Sequence, residues 1–271
     1  MLVLSQAYLL TVKNPNDEEL CNLVRKLQTS EIEVEVVKGV IGGEISAKIY
    51  FEYAVDTQKR YGYLLSPGEI GCALGHMEIL QKIATSDEEY ALVFEDDAIV
   101  YRFVESKSYL EDFLLRKAPQ FVQLGRQDHL LMGVNLQGRS YKDFQDFYQI
   151  LGIDLENLFG CHGYVISKSA ARKLVSSLKA KIHLIDDFVI VSSILDQNYL
   201  DFFGCVIHPE NFEKSLIEGE RHLKSTAELS KGRLWRRILL EISRSLLHRK
   251  KRILRNMRRA VGQTRNVYTK R

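Results

Sequence analysis

A chain of 271 residues with 45% hydrophobic side chains is long enough to bury one large α/β core, which is the expected arrangement. Its four cysteines, Cys21, Cys72, Cys161 and Cys205, are scattered without a C-x-x-C pair, which argues against a disulfide framework and against a thiolate zinc site. The formal net charge of +3 conceals an asymmetry: residues 231–271 carry 15 Lys or Arg against one acid, Glu241, so an acidic body bears a basic tail and nucleic-acid binding is disfavoured.

Met1 to Leu10 has neither a basic leader nor a small-residue cleavage site and reads as the approach to a buried strand over Ala7 to Val12. No run approaches the roughly 18 apolar residues that span a bilayer. Asn16 with Glu19 forms a capping-box pattern, so a helix is expected to about Thr29. Glu31 to Val37 alternates acids with β-branched residues, a period-two strand pattern that Gly39 and Gly42-Gly43 interrupt. Ser66-Pro67-Gly68-Glu69 then opens a helix to about Thr85, because Ser66 caps, Pro67 suits the first turn and Glu69 reaches back. Tyr90 to Phe94 is a short apolar strand that runs straight into Glu95-Asp96-Asp97. Further strands are expected at Phe121–Leu124, Tyr164–Ile166 and Leu200–Ile207, with a helix over Lys168–Leu178 capped by Ser167. Between them, Gly125 to Gly160 is polar and aromatic with weak periodicity, the pattern of a binding loop or lid.

Alternating strands and helices point to an α/β fold, whose ligands gather outside the carboxyl ends of the strands. Glu95, Asp96 and Asp97 stand at such an end. Consecutive carboxylates repel, and something cationic must offset them; hard oxygen donors suit Mg²⁺ or Mn²⁺ with a substrate phosphate. On an extended backbone Glu95 and Asp97 face one side and Asp96 the other, which assigns Asp97 to the metal, Glu95 to metal or ribose and Asp96 to sugar hydroxyls, with the three roles interchangeable. The bland reading is a solvated acidic loop, since charges are usually solvated.

The stretches LSPGEIGCALGHMEIL (residues 65–80), ALVFEDDAIV (91–100) and GYVISKSAARKL (163–174), with the Ile185-Asp186 step, resemble in order the blocks of glycosyltransferase family 25, the lipooligosaccharide galactosyltransferases and their collagen-modifying relatives. The resemblance runs from about Ala7 to Ile217. It implies a GT-A type fold, a UDP-hexose donor (usually UDP-galactose), Mn²⁺ or Mg²⁺ held by Glu95-Asp96-Asp97, and inversion at the anomeric carbon. It matches Asp186 to a downstream aspartate suited to act as base, with Asp187 as competitor; the bland reading of the pair is a helix N-terminus. It places His76 near the donor diphosphate, and His208 before Pro209 as a further metal ligand. His76 read alone is a packing residue, and His208 and His162 are ordinary strand-end histidines. The chain departs from the family at Thr11–Asn16, where arginines are usual and only Lys13 is cationic, and at Gly75, where a serine is usual and helix contacts are expected to loosen. Tyr63, Tyr141, Phe144, Phe147 and Tyr148 are candidates to stack on sugars or to form core.

Trp235, Ile238, Leu239, Ile242 and Leu246 recur at helical spacing among arginines, so the tail reads as a basic amphipathic helix for an anionic membrane surface, each cation contributing about 1 kcal/mol there. This divides the chain into a catalytic domain, 1–230, and a membrane-associating tail, 231–271. The reading that results is a metal-dependent glycosyltransferase acting on a lipid-linked saccharide acceptor at the cytoplasmic face of a bacterial inner membrane. The alternatives are a non-catalytic nucleotide-sugar or membrane-binding protein of the same fold, and a phosphoryl-transfer enzyme, which the lack of a P-loop disfavours.

Overall fold

The computed structural model describes residues 4–61, 64–126, 136–152, 154–158, 160–178 and 184–207, and the dipeptides 253–254, 257–258 and 265–266. The helix expected around Trp235, together with His208 and Tyr63, falls outside the described residues.

The chain begins β-α-β, with β1 (Gln6–Thr11), α1 (Glu18–Gln28) and β2 (Glu33–Lys38). The cap of α1 is Asp17, one residue later than expected, and its carboxylate accepts from the Leu20 N–H. Asn16 is instead held in the preceding turn, where its own N–H donates to Asn14 Oδ1. Helix α2 (Ala47–Tyr61) has no counterpart in the sequence reading; its apolar residues are divided between the inner face, as at Ala54, and solvent, as at Phe51, which blurs any stripe. Helix α3 (Pro67–Thr85) starts with both bonds of the capping box, Ser66 N–H to Glu69 Oε2 at 2.7 Å and Glu69 N–H to Ser66 Oγ at 3.2 Å.

Strand β3 (Tyr90–Glu95) leads through the acidic residues to α4 (Tyr101–Lys117), which ends on Ala118 in the left-handed conformation, and then to β4 (Phe121–Arg126). The expected lid is, over its described part, two further strands, β5 (Gln137–Ser140) and β6 (Tyr148–Leu151). Their four-residue length and polar content hide the alternation on which a sequence reading depends. Strand β7 (Gly163–Ser167), α5 (Lys168–Leu178), α6 (Phe188–Ile194), β8 (Tyr199–Ile207) and the dipeptide β9 (Arg265–Asn266) complete the order. Ser167 Oγ accepts from the Ala170 N–H at 3.2 Å and caps α5 as expected.

The strands form one mixed sheet in the order β2-β1-β3-β7-β4-β8-β6-β5-β9. Strands β1 and β3 are parallel neighbours, as are β4 and β8, while β7 runs antiparallel between β3 and β4. The carboxyl ends of β1, β3, β4 and β8 therefore share one edge of the sheet. Alternation along β3 sends Ala91 and Val93 into a core with α3, α5 and α6, and Leu92 and Phe94 into a second core with α1 and α4. The expected sugar-stacking residues Phe144 and Phe147 are fully buried in the second core, with Phe147 stacked between Phe113 and Phe203 at centroid distances of 3.9 and 4.1 Å.

Strand β8 carries a buried acid. Asp201 accepts a 2.7 Å hydrogen bond from the Tyr141 hydroxyl, which in turn accepts from Gln149 Nε2 at 3.0 Å. Burial pushes the Asp201 carboxyl up to about 7, against a pull downward from the Tyr141 bond. The folded chain then retains a proton that the unfolded chain releases above about pH 4. Its contribution is complete below that pH and is lost as pH rises towards 7. Asp201→Asn, which keeps an acceptor for Tyr141 and cannot ionise, should gain stability relative to the native chain between pH 4 and 7, as read by urea unfolding at several pH values. An unchanged difference across that window would contradict the assignment.

Candidate active site

The acidic segment closes on itself. The Ala98 N–H donates to Glu95 O at 3.1 Å, so Asp96 and Asp97 are the central residues of a tight turn rather than a continuation of β3. The alternating sidedness expected for an extended Glu95-Asp96-Asp97 does not hold, because a turn points successive side chains by its own geometry. All three carboxylates are partly exposed at the strand-end edge of the sheet.

Neighbouring elements fix this turn from several directions. From β1, Thr11 Oγ1 donates a hydrogen bond to Asp96 Oδ2. Just beyond β1, Lys13 Nζ donates to Asp96 O at 3.3 Å and to Glu19 Oε2 at 3.0 Å, and lies 4.0 Å from Asp96 Oδ1. Burial raises the Asp96 carboxyl above its ordinary range, the Thr11 bond and Lys13 oppose that rise, and the charges of Asp97 and Glu95 add to it. Just before β7, His162 O accepts from the Glu95 N–H at 3.3 Å. From α3, His76 Nε2 lies 3.1 Å from Glu95 Oε1, while His76 Nδ1 lies 3.1 Å from the Tyr164 hydroxyl. The cation required to offset the acids is thus supplied in part by the chain itself, through Lys13.

Asp186 stands in the segment before α6. The buried Cys161 thiol is pushed well up, chiefly by burial and then by the charges of Glu95 and Asp186. Asp187 serves the helix instead, since its carboxylate accepts from the Ile190 N–H at 3.2 Å and caps α6. His162 is fully buried and its Nε2 accepts from the Arg126 N–H at 3.1 Å; a Cβ on Gly125 would lie 2.7 Å from its ring, so Gly125 makes room for it. Residue 207, which precedes His208, is anchored beside the acidic turn by a reciprocal bridge, Ile99 N–H to Ile207 O at 2.9 Å and Ile207 N–H to Ile99 O at 3.1 Å.

Residues 18–189 match the family described as "Glycosyltransferase family 25 (LPS biosynthesis protein)". The chain belongs to glycosyltransferase family 25. It is 28% identical over 170 residues to the "Putative glycosyltransferase" of Haemophilus influenzae, covering 57% of this chain and 56% of that protein. It is 25% identical over 222 residues to the "Inactive glycosyltransferase 25 family member 3" of Mus musculus, covering 76% of this chain and 35% of the relative. The chain thus spans between about a third and just over half of the length of these relatives. Among solved structures, the inositol-1-phosphate CTP transferase from T. maritima aligns with a TM-score of 0.42 and 10% identity, over 82% of this chain and 97% of that one.

In this family-25 chain three of the four resembling blocks meet at the acidic turn: His76 from the first, Glu95 to Asp97 from the second and Tyr164 from the third. Sequence reasoning missed Thr11, Cys72 and Cys161 as members of this neighbourhood. The C-x-x-x-H spacing of Cys72 and His76 was the available signal, since residues four apart on a helix share a face. Gly75 also differs from expectation. A Cβ there would lie 2.6 Å from Leu10 Cδ1, so its absence tightens the seat of α3 on β1.

The two adjacent aspartates should separate in a stability measurement. Asp187→Ala removes the cap of α6 and should cost about 1 kcal/mol in urea unfolding. Asp186→Ala should cost less than half of that, and equal losses would mean that Asp186 also carries the helix start.

Proposed function

We propose that this chain is an inverting hexosyltransferase of GT-A type, with UDP-galactose the first candidate donor and a lipooligosaccharide or related surface glycan the acceptor. The observation that supports the reading is the Glu95-Asp96-Asp97 turn at the carboxyl ends of parallel strands, braced by Thr11, Lys13 and His76, in a member of family 25.

The chemistry of the donors fits a divalent metal. Asp97 would be the principal hard ligand, its carboxylate being the oxygen donor that Mg²⁺ and Mn²⁺ prefer, next to an Asp96 held by Thr11 and Lys13. Glu95 and His208 would complete the shell; the latter follows the bridge between Ile207 and Ile99. When bound, Mn²⁺ or Mg²⁺ supplies a positive charge that offsets the charge developing on the UDP leaving group. Asp186 accepts the proton of the acceptor hydroxyl as its oxygen bonds to the anomeric carbon and the bond to the diphosphate oxygen breaks. Lys13 lends positive charge at the donor side of the turn, and His76, held by Tyr164, orients Glu95.

A non-catalytic, nucleotide-sugar-binding protein is the second reading. It is favoured by the chain's own partners on Glu95 and Asp96 and by a relative whose name calls it inactive. UDP release from a panel of UDP-sugars with Mn²⁺, with and without saccharide acceptors, decides between them. Turnover is expected with at least one acceptor; Asp97→Ala should abolish metal-dependent donor binding, and Asp186→Asn should retain donor binding but lower transfer by at least about 100-fold. Donor binding without turnover under every condition would select the second reading.

We further propose that residues 231–271 attach the protein to an anionic membrane surface through their 15 Lys or Arg, consistent with a chain in which no helix of the described residues is long and apolar enough to cross a bilayer. Sedimentation with anionic lipid vesicles should fall steeply between low and high salt and vanish when residues 231–271 are removed. Sedimentation that survives the truncation would refute the proposal.

A further inference from the structure

The transfer chemistry proposed above gives Cys72 no role, yet its thiol stands at the acidic turn. Cys72 and His76 lie one helical turn apart on α3 and face the end of β3 together. Cys72 Sγ is 3.9 Å from Glu95 Oε1, His76 Nε2 is 3.1 Å from the same oxygen, and the three donor atoms all lie within 4.8 Å of one another. In a tetrahedral zinc site, with sulfur at about 2.3 Å and nitrogen and oxygen at about 2.0–2.2 Å, ligand atoms are about 3.3–3.7 Å apart. Side-chain shifts of about an ångström would convert one arrangement into the other.

We infer that Cys72, His76 and Glu95 form a binding site for a thiophilic divalent transition-metal ion of the zinc type. Its donor chemistry separates it from the hard-cation role of Asp97: thiolate and imidazole select zinc-like ions, whereas carboxylates and water suit Mg²⁺ and Mn²⁺.

A second observation supports the site. His76 is oriented through its other ring nitrogen: Nδ1 lies 3.1 Å from the Tyr164 hydroxyl, and the fully buried Tyr164 ring is stacked on Phe121 at 4.9 Å between centroids. That is the outer-shell arrangement that fixes a metal-binding imidazole, with Nε2 aimed at the ion. The His76 side chain is 1% exposed and that of Glu95 is 25% exposed, so the ion has a path from the Glu95 side. Three protein donors leave a fourth position for water or for an oxygen of a bound substrate, the pattern of an open rather than a closed zinc site. In the metal-free chain the hydrogen bond between His76 and Glu95 holds the place that the ion would take.

The inference does not rest on the transferase reading, and its test reads binding rather than turnover. Cobalt(II) titrated into the full purified chain should produce a near-ultraviolet thiolate-to-cobalt absorption that Zn²⁺ abolishes by competition and millimolar Mg²⁺ does not. Cys72→Ser should lose the band, and His76→Gln and Tyr164→Phe should weaken cobalt affinity by about 10-fold or more. Cys21→Ser and Asp97→Ala should keep it. Should Cys72→Ser fail to fold, by circular dichroism, the native chain still decides: Zn²⁺ should slow alkylation of Cys72 by iodoacetamide at least about 10-fold, read by peptide mass, and leave the Cys21 rate unchanged. No band, a band that persists in Cys72→Ser, or alkylation indifferent to Zn²⁺ would overturn the inference while leaving the transferase reading intact. Loss of Mn²⁺-dependent donor binding in Asp97→Ala with the band retained would show two cation roles side by side.

Discussion

The structure turns on the concentration of negative charge where β3 ends. Three carboxylates in succession at the edge of a buried strand repel one another, and the fold can hold them there only by surrounding them with donors. Thr11 and Lys13 bind Asp96, the peptide N–H of Ala98 closes the turn, and His76 meets Glu95 from above the sheet. Thr11 and Lys13 come from the end of β1 and His76 from α3, so the turn is also a point at which β1, β3 and α3 are fastened together.

The sheet topology explains why this is the functional edge. Strands β1, β3, β4 and β8 all finish on the same side, and β7, running the other way, begins there just after His162. The loops that follow these strands and precede β7 thereby open on the same edge as the acidic turn. The opposite end of the sheet has no comparable cluster among the described residues; its most distinctive polar group, Asp201 with Tyr141, is sealed into the sheet and tuned by burial.

What the sequence made legible follows the strength of the local signals. The capping box at Ser66 and Glu69 and the apolar runs of β3 and β7 combine several local preferences that agree, and they were placed within a residue or so. Helix α2 was illegible because its apolar side chains are split between core and solvent, and β5 and β6 because four residues are too few to establish a period. The acids of the site were conspicuous as a charged triplet after an apolar strand. Their partners were not: Thr11 is 85 positions from Asp96 and Tyr164 is 88 from His76, and no local pattern encodes pairings of that span. The resemblance to family 25 singled out Asp186 and His76, but it said nothing of how the turn is braced.

The two glycines on the inner side of α3 have an effect that reaches past packing. A Cβ on Gly71 would fall 2.3 Å from Val40 O, and one on Gly75 would press into Leu10. Their missing side chains work as a shim of zero thickness, letting the helix lie close against the segment after β2 at Gly71 and against β1 at Gly75. His76 follows Gly75 directly, so that closeness governs how far its imidazole protrudes towards Glu95. A residue with no functional group of its own therefore calibrates the reach of one that has, and drift at position 75 would register first as altered alignment at the carboxylate.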